Sequence, residues 1–340
     1  MSTQIAAAGY NSPVDFLEQE LFLRNKMLYN YKTCSILPLI AQSEFIQGEQ
    51  LLKNSSVSFY VEDDLPIFGK DMDNDEHPYR INTGGLSIKT IRACNYRKLQ
   101  FKLSDKDYYM LDKKMETPDG GVSSEFDFWA NIQARRVNKG IIELTEVYTL
   151  AKLLASAAAY NVGAKAGKLT GSYNLGTQDN AGSLRIDSPD KLFRLIMDMK
   201  AVLEETGYAC GTGDTVIDGT DGDAILVLPA YLERYVIELA KDFSNGCCNT
   251  NLFENGVRQA INIGGIKVYT TNKLGISNGL GGVTRQSNAI LLDRKMLLHA
   301  FDYVTNTFER HLGDLWWIVS FVYESELLKP EAAVVANLTL

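Results

Sequence analysis

Apolar residues recur at three- and four-residue intervals in four segments of the chain, and this spacing predicts amphipathic helices. In the second segment, Gly140 predicts a kink or a break. The third segment has the clearest boundaries, because Ser188 can cap its start, Pro189 suits its first turn and Gly207 can end it. The four segments are residues 14–30, 123–160, 189–206 and 231–243.

Alternating apolar and polar residues predict two strands around an acidic stretch. Residues 56–62 alternate in this way, and residues 86–104 do so again, with Leu99 and Phe101 on one face. The pattern predicts one long hairpin over residues 56–103, with an acidic tip. Acidic side chains at the tip would keep a protruding ribbon soluble or pair with basic groups elsewhere.

Unbroken apolar runs in the second half of the chain predict buried strands. One run covers residues 224–228 and ends at Pro229, and another, which begins at Leu315, predicts a strand buried on both faces. Residues 289–301 predict a strand followed by a helix. A short apolar tail follows Pro330 and closes the chain.

The acidic stretch, residues 62–76, resembles the start of a calcium loop. An EF-hand loop needs Gly at its sixth position and a bidentate Glu at its twelfth. Counted from Asp71, these positions hold Glu76 and Asn82, so the pattern fails and favours a solvated loop. A second acidic segment, residues 218–223, also resembles a calcium loop, but six acid- and glycine-rich residues before a strand usually form a turn.

Composition narrows the class of protein. The 340 residues are 45% hydrophobic and 22% charged, which is typical of a folded globular chain. The net charge of −8 argues against tight non-specific binding of nucleic acid. The N-terminus carries no secretory signal and the apolar runs are too short for membrane-spanning helices, so we expect a protein made in the cytoplasm with no membrane partner.

No set of residues predicts catalysis, a metal site or a cofactor. The three histidines are expected to be surface or packing residues, although spacing alone does not exclude a catalytic triad. Neither a GxSxG elbow nor a complete phosphate-binding loop is present. The five cysteines show no CxxC spacing, so we predict neither a disulfide framework nor a zinc site. We therefore expect a chain that is not an enzyme and has no cofactor.

Three segments, taken with the order of the elements, resemble the major capsid proteins of tailed bacteriophages, which have the Hong Kong 97 type fold. DAILVLPAYLERYVIELAKDF, residues 223–243, is similar to the axial-domain strand, proline and helix of that family. INIGGIKVYTTNKLG, residues 261–275, is similar to the glycine-led strand that follows. WWIVSFVYESELLKPEAAVVANL, residues 316–338, is similar to the closing strand and proline-led tail.

The resemblance implies an α+β chain with an N-terminal arm, an extended β-hairpin loop, a long spine helix, and peripheral and axial domains. The expected divisions are the arm and first helix at 1–55, the extended loop at 56–103, the peripheral domain with the spine helix at 104–164, the axial domain at 165–284, and the peripheral domain with closing strand and tail at 285–340.

The same resemblance implies a structural protein that assembles with itself, as pentamers and hexamers, into an icosahedral shell around double-stranded DNA. Expected partners are a portal, a separate scaffolding protein and decoration proteins, and the expected location is the virion after assembly in the host cytoplasm. One alternative is the shell of an encapsulating nanocompartment on the same fold. Another is a calcium-binding protein or metal-dependent enzyme that uses residues 62–76 and 214–223.

Within the capsid interpretation, the acidic side chains of the extended loop are the candidate interface residues. We expect them to contact Lys or Arg side chains of a neighbouring subunit. They are Asp63, Asp64, Asp71, Asp73, Asp75 and Glu76.

Overall fold

The computed structural model describes most of the chain between Pro13 and Thr339. The described ranges are 13–42, 56–62, 86–103, 114–116, 122–177, 182–207, 224–243, 253–254, 257–258, 260–263, 266–274, 286–311 and 314–339.

The helices within these ranges are α1 (Pro13–Cys34), α2 (Leu37–Ile40), α3 (Glu125–Ser156), α4 (Pro189–Glu205) and α5 (Glu233–Phe243). The strands are β1 (Ser56–Glu62), β2 (Leu86–Arg92), β3 (Asn95–Leu103), β4 (Lys114–Glu116), β5 (Val122–Ser124), β6 (Leu184–Arg185), β7 (Ala224–Pro229), β8 (Phe253–Glu254), β9 (Val257–Arg258), β10 (Ile261–Ile263), β11 (Ile266–Thr271), β12 (Gln286–Asp293), β13 (Leu297–His311), β14 (Asp314–Leu327) and β15 (Ala333–Thr339).

A mixed six-stranded sheet with the order β10-β11-β7-β12-β15-β6 forms one half of the fold. Its strand β7 pairs in parallel with β11 and antiparallel with β12. Every residue of β7 is buried, because helices cover both faces of the sheet. The prediction of a buried strand at residues 224–228 is therefore confirmed.

The two faces of β7 contribute to different cores. Leu226 and Leu228 pack with residues of α4 and α5, whereas Ile225 and Val227 pack with residues of α2 and the C-terminal part of α3. This division follows from the two-residue period of a strand, which sends successive side chains to opposite faces. The six-stranded sheet is thus a layer between two sets of helices.

An antiparallel three-stranded sheet with the order β13-β14-β3 forms the other half. Helices α1 and α3 pack on one of its faces, and aromatic side chains dominate that core. The fully buried aromatic residues there are Tyr31, Phe301, Tyr303, Trp317, Phe321 and Tyr323. Helix α3 joins the two halves, because its first buried residues lie in this core and its last ones lie under the six-stranded sheet.

The predicted helices are present, and α4 has the predicted ends. The Ser188 side chain accepts a hydrogen bond from the backbone N–H of Lys191 at 3.4 Å, and Pro189 begins the helix. Gly207 follows the end of the helix with φ of 85°, a left-handed conformation that glycine adopts without steric cost. The break predicted at Gly140 is wrong, since α3 continues through this exposed position.

The hairpin predicted over residues 56–103 is shorter in the structure. Strand β1 pairs with β2 along its full length, from Ser56 with Arg92 to Glu62 with Leu86. Strand β3 instead pairs with β14, because this position lets Leu99 pack against the aromatic core. The expected hairpin partner for β3 is therefore wrong, although its strand conformation is confirmed.

Two predictions for the end of the chain are also wrong. The helix predicted in residues 289–301 is absent: these residues form β12, one 3-10 turn and the start of β13. Long antiparallel pairing with β14 overrides the local helix pattern there. The predicted tail is β15, a buried strand between β12 and β6. The six-stranded sheet therefore takes strands from both sides of the boundary expected at residues 284 and 285.

Candidate functional site

The six acidic interface candidates lie outside the described residues. They are Asp63, Asp64, Asp71, Asp73, Asp75 and Glu76. Residues 63–85 join the paired ends of β1 and β2, so the acids belong to the connection of this hairpin. Their contact with a neighbouring subunit stays a prediction.

A buried chain of hydrogen bonds links α1, α3 and the three-stranded sheet. The Tyr31 hydroxyl lies 2.8 Å from Nε2 of His299, and Nδ1 of His299 lies 2.8 Å from the Ser325 hydroxyl. The chain continues to the Thr149 hydroxyl at 2.6 Å, and Tyr31 donates to Thr145 at 3.2 Å. Because Tyr31 donates to Thr145, a consistent assignment has Nε2–H of His299 donating to Tyr31 and Nδ1 accepting from Ser325.

This cluster is a packed core and is closed to a substrate. His299 and Ser325 are each 1% exposed. Burial lowers the pKa of His299 to about 4, although the charge of Glu324 acts in the opposite direction, so the imidazole is neutral at pH 7. Burial also raises the pKa of Tyr31, which therefore stays protonated. The expected packing role of His299 is confirmed.

Two buried glutamates fix the neighbouring elements. Glu324 accepts hydrogen bonds from Tyr148 at 2.7 Å, from Lys152 at 2.9 Å and from Asn95 at 2.9 Å, which ties α3 and β3 to β14. Glu146 accepts from the Ser35 hydroxyl at 3.0 Å and from the backbone N–H of Ile36 at 2.8 Å. Each carboxylate is compensated by donors, as a buried charge requires.

Replacing Glu146 with alanine is expected to lower the free energy of unfolding by about 1–3 kcal/mol, because the buried N–H of Ile36 and hydroxyl of Ser35 lose their acceptor. Glu146→Gln keeps an oxygen acceptor at the same position and is expected to recover most of this loss. Urea unfolding of both variants measures the effect. Equal stability of Glu146→Ala and the parent chain would contradict the assigned role.

An open groove of about 450 Å³ lies where α1, α3 and the end of β11 meet. Its basic lining residues are Arg135, Lys139 and Lys273, and Glu143 is the acidic one. The Lys273 ammonium lies 2.8 Å from the Glu143 carboxylate, and this hydrogen bond and charge lower the pKa of Glu143. Three cations against one carboxylate make the groove basic within a chain of net charge −8.

No pattern in the sequence predicted this groove. Arg135 and Lys139 stand four residues apart on one helix face, which is the only local signal. Lys273 joins them only through the tertiary packing of the β11 end near α3. A basic patch assembled from separate segments leaves no continuous run of basic residues in the sequence.

Two further properties concern the described part of the chain alone. Within it, no three His, Cys, Asp or Glu side chains lie close enough together to hold a metal ion. No helix there combines the length and apolar character that crossing a bilayer requires. The acidic segments 63–76 and 214–223 of the calcium hypothesis lie outside this part.

Known structures identify the fold, although no family model and no curated protein matches the sequence. The capsid of Ralstonia phage GP4 is similar over 88% of this chain and 87% of that chain, with 11% identity and a TM-score of 0.50. Mycobacterium phage Che8 matches over 87% and 88% with 12% identity and a TM-score of 0.46. A virus-like particle from Pyrococcus furiosus matches over 92% and 97% with 12% identity and a TM-score of 0.44.

The chain therefore shares the fold of the GP4 capsid, and the resemblance drawn from the sequence is confirmed at the level of the fold. This conclusion rests on the GP4 capsid alone, because the other two TM-scores are below 0.50. The mixture of helices and strands expected of an α+β chain is likewise observed in the described residues.

Proposed function

We propose that this chain is the major capsid subunit of a tailed bacteriophage and assembles with itself into an icosahedral shell. The observation that carries the proposal is the fold shared with the GP4 capsid over 88% of the chain. Pentamers and hexamers would be the building units, and contacts around such rings join different surfaces of adjacent subunits.

The geometry of the β1–β2 hairpin supports assembly. Among the described strands, β1 and β2 form a two-stranded sheet of their own, and Ile91 packs with Leu298 and Leu328 at its base. An isolated two-stranded hairpin is at best marginally stable in water. We therefore infer that the hairpin gains its remaining support from a neighbouring subunit.

We further propose the division into arm, extended loop, peripheral domain and axial domain that the resemblance implies, with α3 as the spine helix and with β12 and β15, from beyond residue 284, completing the axial-domain sheet. Its buried residues contact both sheets, which suits an element that holds the subunit rigid. The shell would enclose double-stranded DNA without binding its sequence, since a chain of net charge −8 does not neutralise phosphates. A portal, a scaffolding protein and decoration proteins would be its partners in the virion.

Size-exclusion chromatography with light scattering tests the proposal on the chain expressed alone and with a scaffolding protein. Rings or shells far heavier than the 37.8 kDa subunit are expected. A species that stays monomeric at high concentration in both preparations would overturn the proposal. The contents of purified particles separate the alternatives, because a virion holds DNA and a nanocompartment holds an enzyme cargo.

The acidic loop gives a prediction for assembly. Asp71→Asn, Asp73→Asn and Asp75→Asn together are expected to raise the concentration needed for assembly by about tenfold at low salt, because they remove charges that pair across subunits. Light scattering against protein concentration measures this threshold. Asp190→Asn, Glu238→Gln and Glu309→Gln change three exposed acids outside the loop and provide the matched control. An unchanged threshold in the loop variant would contradict the assigned contact.

A further inference from the structure

The groove between α1, α3 and the β11 end has the features of a binding site for carboxylates. Its volume of about 450 Å³ lies in the range typical of ligand sites. Arg135 and Lys139 are exposed, whereas the Lys273 side chain is only 18% exposed and is held against Glu143. A fixed cation flanked by two accessible ones offers both charge and position to an acidic ligand.

The lining also supplies neutral hydrogen-bond donors. Asn30, Asn138 and Asn272 line the groove beside the cations. Amide N–H groups can donate to carboxylate or backbone oxygens of a peptide, whereas a purely electrostatic site would need cations alone. Ile142 adds an apolar wall. This mixture of charge, amide and apolar surface suits a peptide segment.

We propose that this groove binds the acidic segment 62–76 of a second copy of the chain. That segment holds seven acidic residues against one basic residue, Lys70. The inference rests on the proposed function, because only an assembled shell presents the segment of one copy to the groove of another at high local concentration.

A nucleic acid is the competing ligand, and the charges favour the peptide. The chain has a net charge of −8, so a long polyanion on its surface would meet repulsion beyond the groove. A short acidic segment concentrates its charge within the groove and carries apolar residues, Leu65, Ile67 and Phe68, that nucleic acid lacks. The chain thus contains a ligand of matching chemistry.

The test measures binding of a fluorescent peptide with the sequence of residues 60–78 to the full chain, at a dilution where light scattering shows no assembly. The expected result is saturable binding in low salt that weakens as salt rises. Arg135→Glu with Lys139→Glu is expected to lower the affinity at least about tenfold. Lys165→Glu with Arg185→Glu makes the same charge change at exposed positions outside the groove and is expected to leave affinity nearly unchanged.

Two readouts locate the peptide. Cys34 is an exposed thiol in the groove, whereas Cys94 is an exposed thiol outside it. Bound peptide is therefore expected to slow the reaction of Cys34 with maleimide and to leave the reaction of Cys94 unchanged. A peptide with Asp71→Lys, Asp73→Lys and Asp75→Lys is expected to bind the Arg135→Glu, Lys139→Glu chain better than the parent chain. This reversal would not follow from damage to the fold.

The outcomes separate this inference from the proposed function. Equal peptide affinity for the groove variant and its control, or maleimide protection absent at Cys34, would overturn the inference even if shells form. Groove-dependent binding of a 15-nucleotide single-stranded DNA but not of the peptide would also overturn it. Peptide binding at the groove without shells in any preparation would support the inference and count against the capsid proposal.

Discussion

Trp317→Ala is expected to lower the free energy of unfolding by about 3–5 kcal/mol, because it leaves a cavity in the aromatic core. The Trp317 side chain is fully buried in β14, the central strand of its sheet. Phe308 and Phe101 stand directly opposite on the two neighbouring strands, with ring centroids 5.9 and 5.5 Å away. Its indole N–H also donates to Asn306 at 2.6 Å.

Urea unfolding of the unassembled chain measures this loss, and Trp316→Ala is the matched control. Trp316 points to the opposite face of the same strand, is half-buried and lies 5.8 Å from the Lys102 ammonium. Its replacement is expected to cost about 1 kcal/mol. Equal losses in the two variants would contradict the conclusion that Trp317 fills the core between β14, α1 and α3.

Acidification is expected to destabilise the chain through His299. The pKa of His299 is lowered to about 4 in the fold, against about 6.5 in an unfolded chain. Below pH 6.5 the unfolded state binds a proton that the folded state does not, so stability falls as pH falls. The loss from this residue reaches about 3 kcal/mol at pH 4 and levels off below that pH.

Urea titrations at pH 7, 6, 5 and 4 measure the effect, and His299→Gln isolates it. The groups that face His299 are Tyr31 from α1, Thr145 and Thr149 from α3, and Ser325 and Glu324 from β14. Acidic groups with lowered pKa, such as Glu143, also lose stabilising charge in acid, but they do so in both proteins. A pH dependence of equal steepness in the two proteins would contradict the role of His299.

The ends of α4 and the burial of β7 were predicted correctly, because both depend on residues that are close together in the sequence. The ends of α4 follow from Ser188, Pro189 and Gly207, which act within a few residues of the chain. The burial of β7 follows from its unbroken apolar sequence. These features need no knowledge of the partners across the fold, so sequence alone was sufficient.

Features that depend on distant pairing were predicted less well. The start of β13 has a helix-like pattern, but pairing with β14 decides its conformation. Residues 333–339 gave no sign that β12 and β6 would enclose them as β15. The Tyr31–His299–Ser325 chain and the Arg135–Lys139–Lys273 groove likewise combine residues from separate segments. Spacing along the sequence cannot predict such combinations.

Electron microscopy of the purified chain decides whether it builds a closed shell. We expect uniform icosahedral particles in which the β1–β2 hairpin of each subunit lies over a neighbour. Residues 62–76 would then reach the Arg135–Lys139–Lys273 groove of that neighbour. Compact monomers at high concentration, with and without a scaffolding protein, would show that the chain is not a shell subunit.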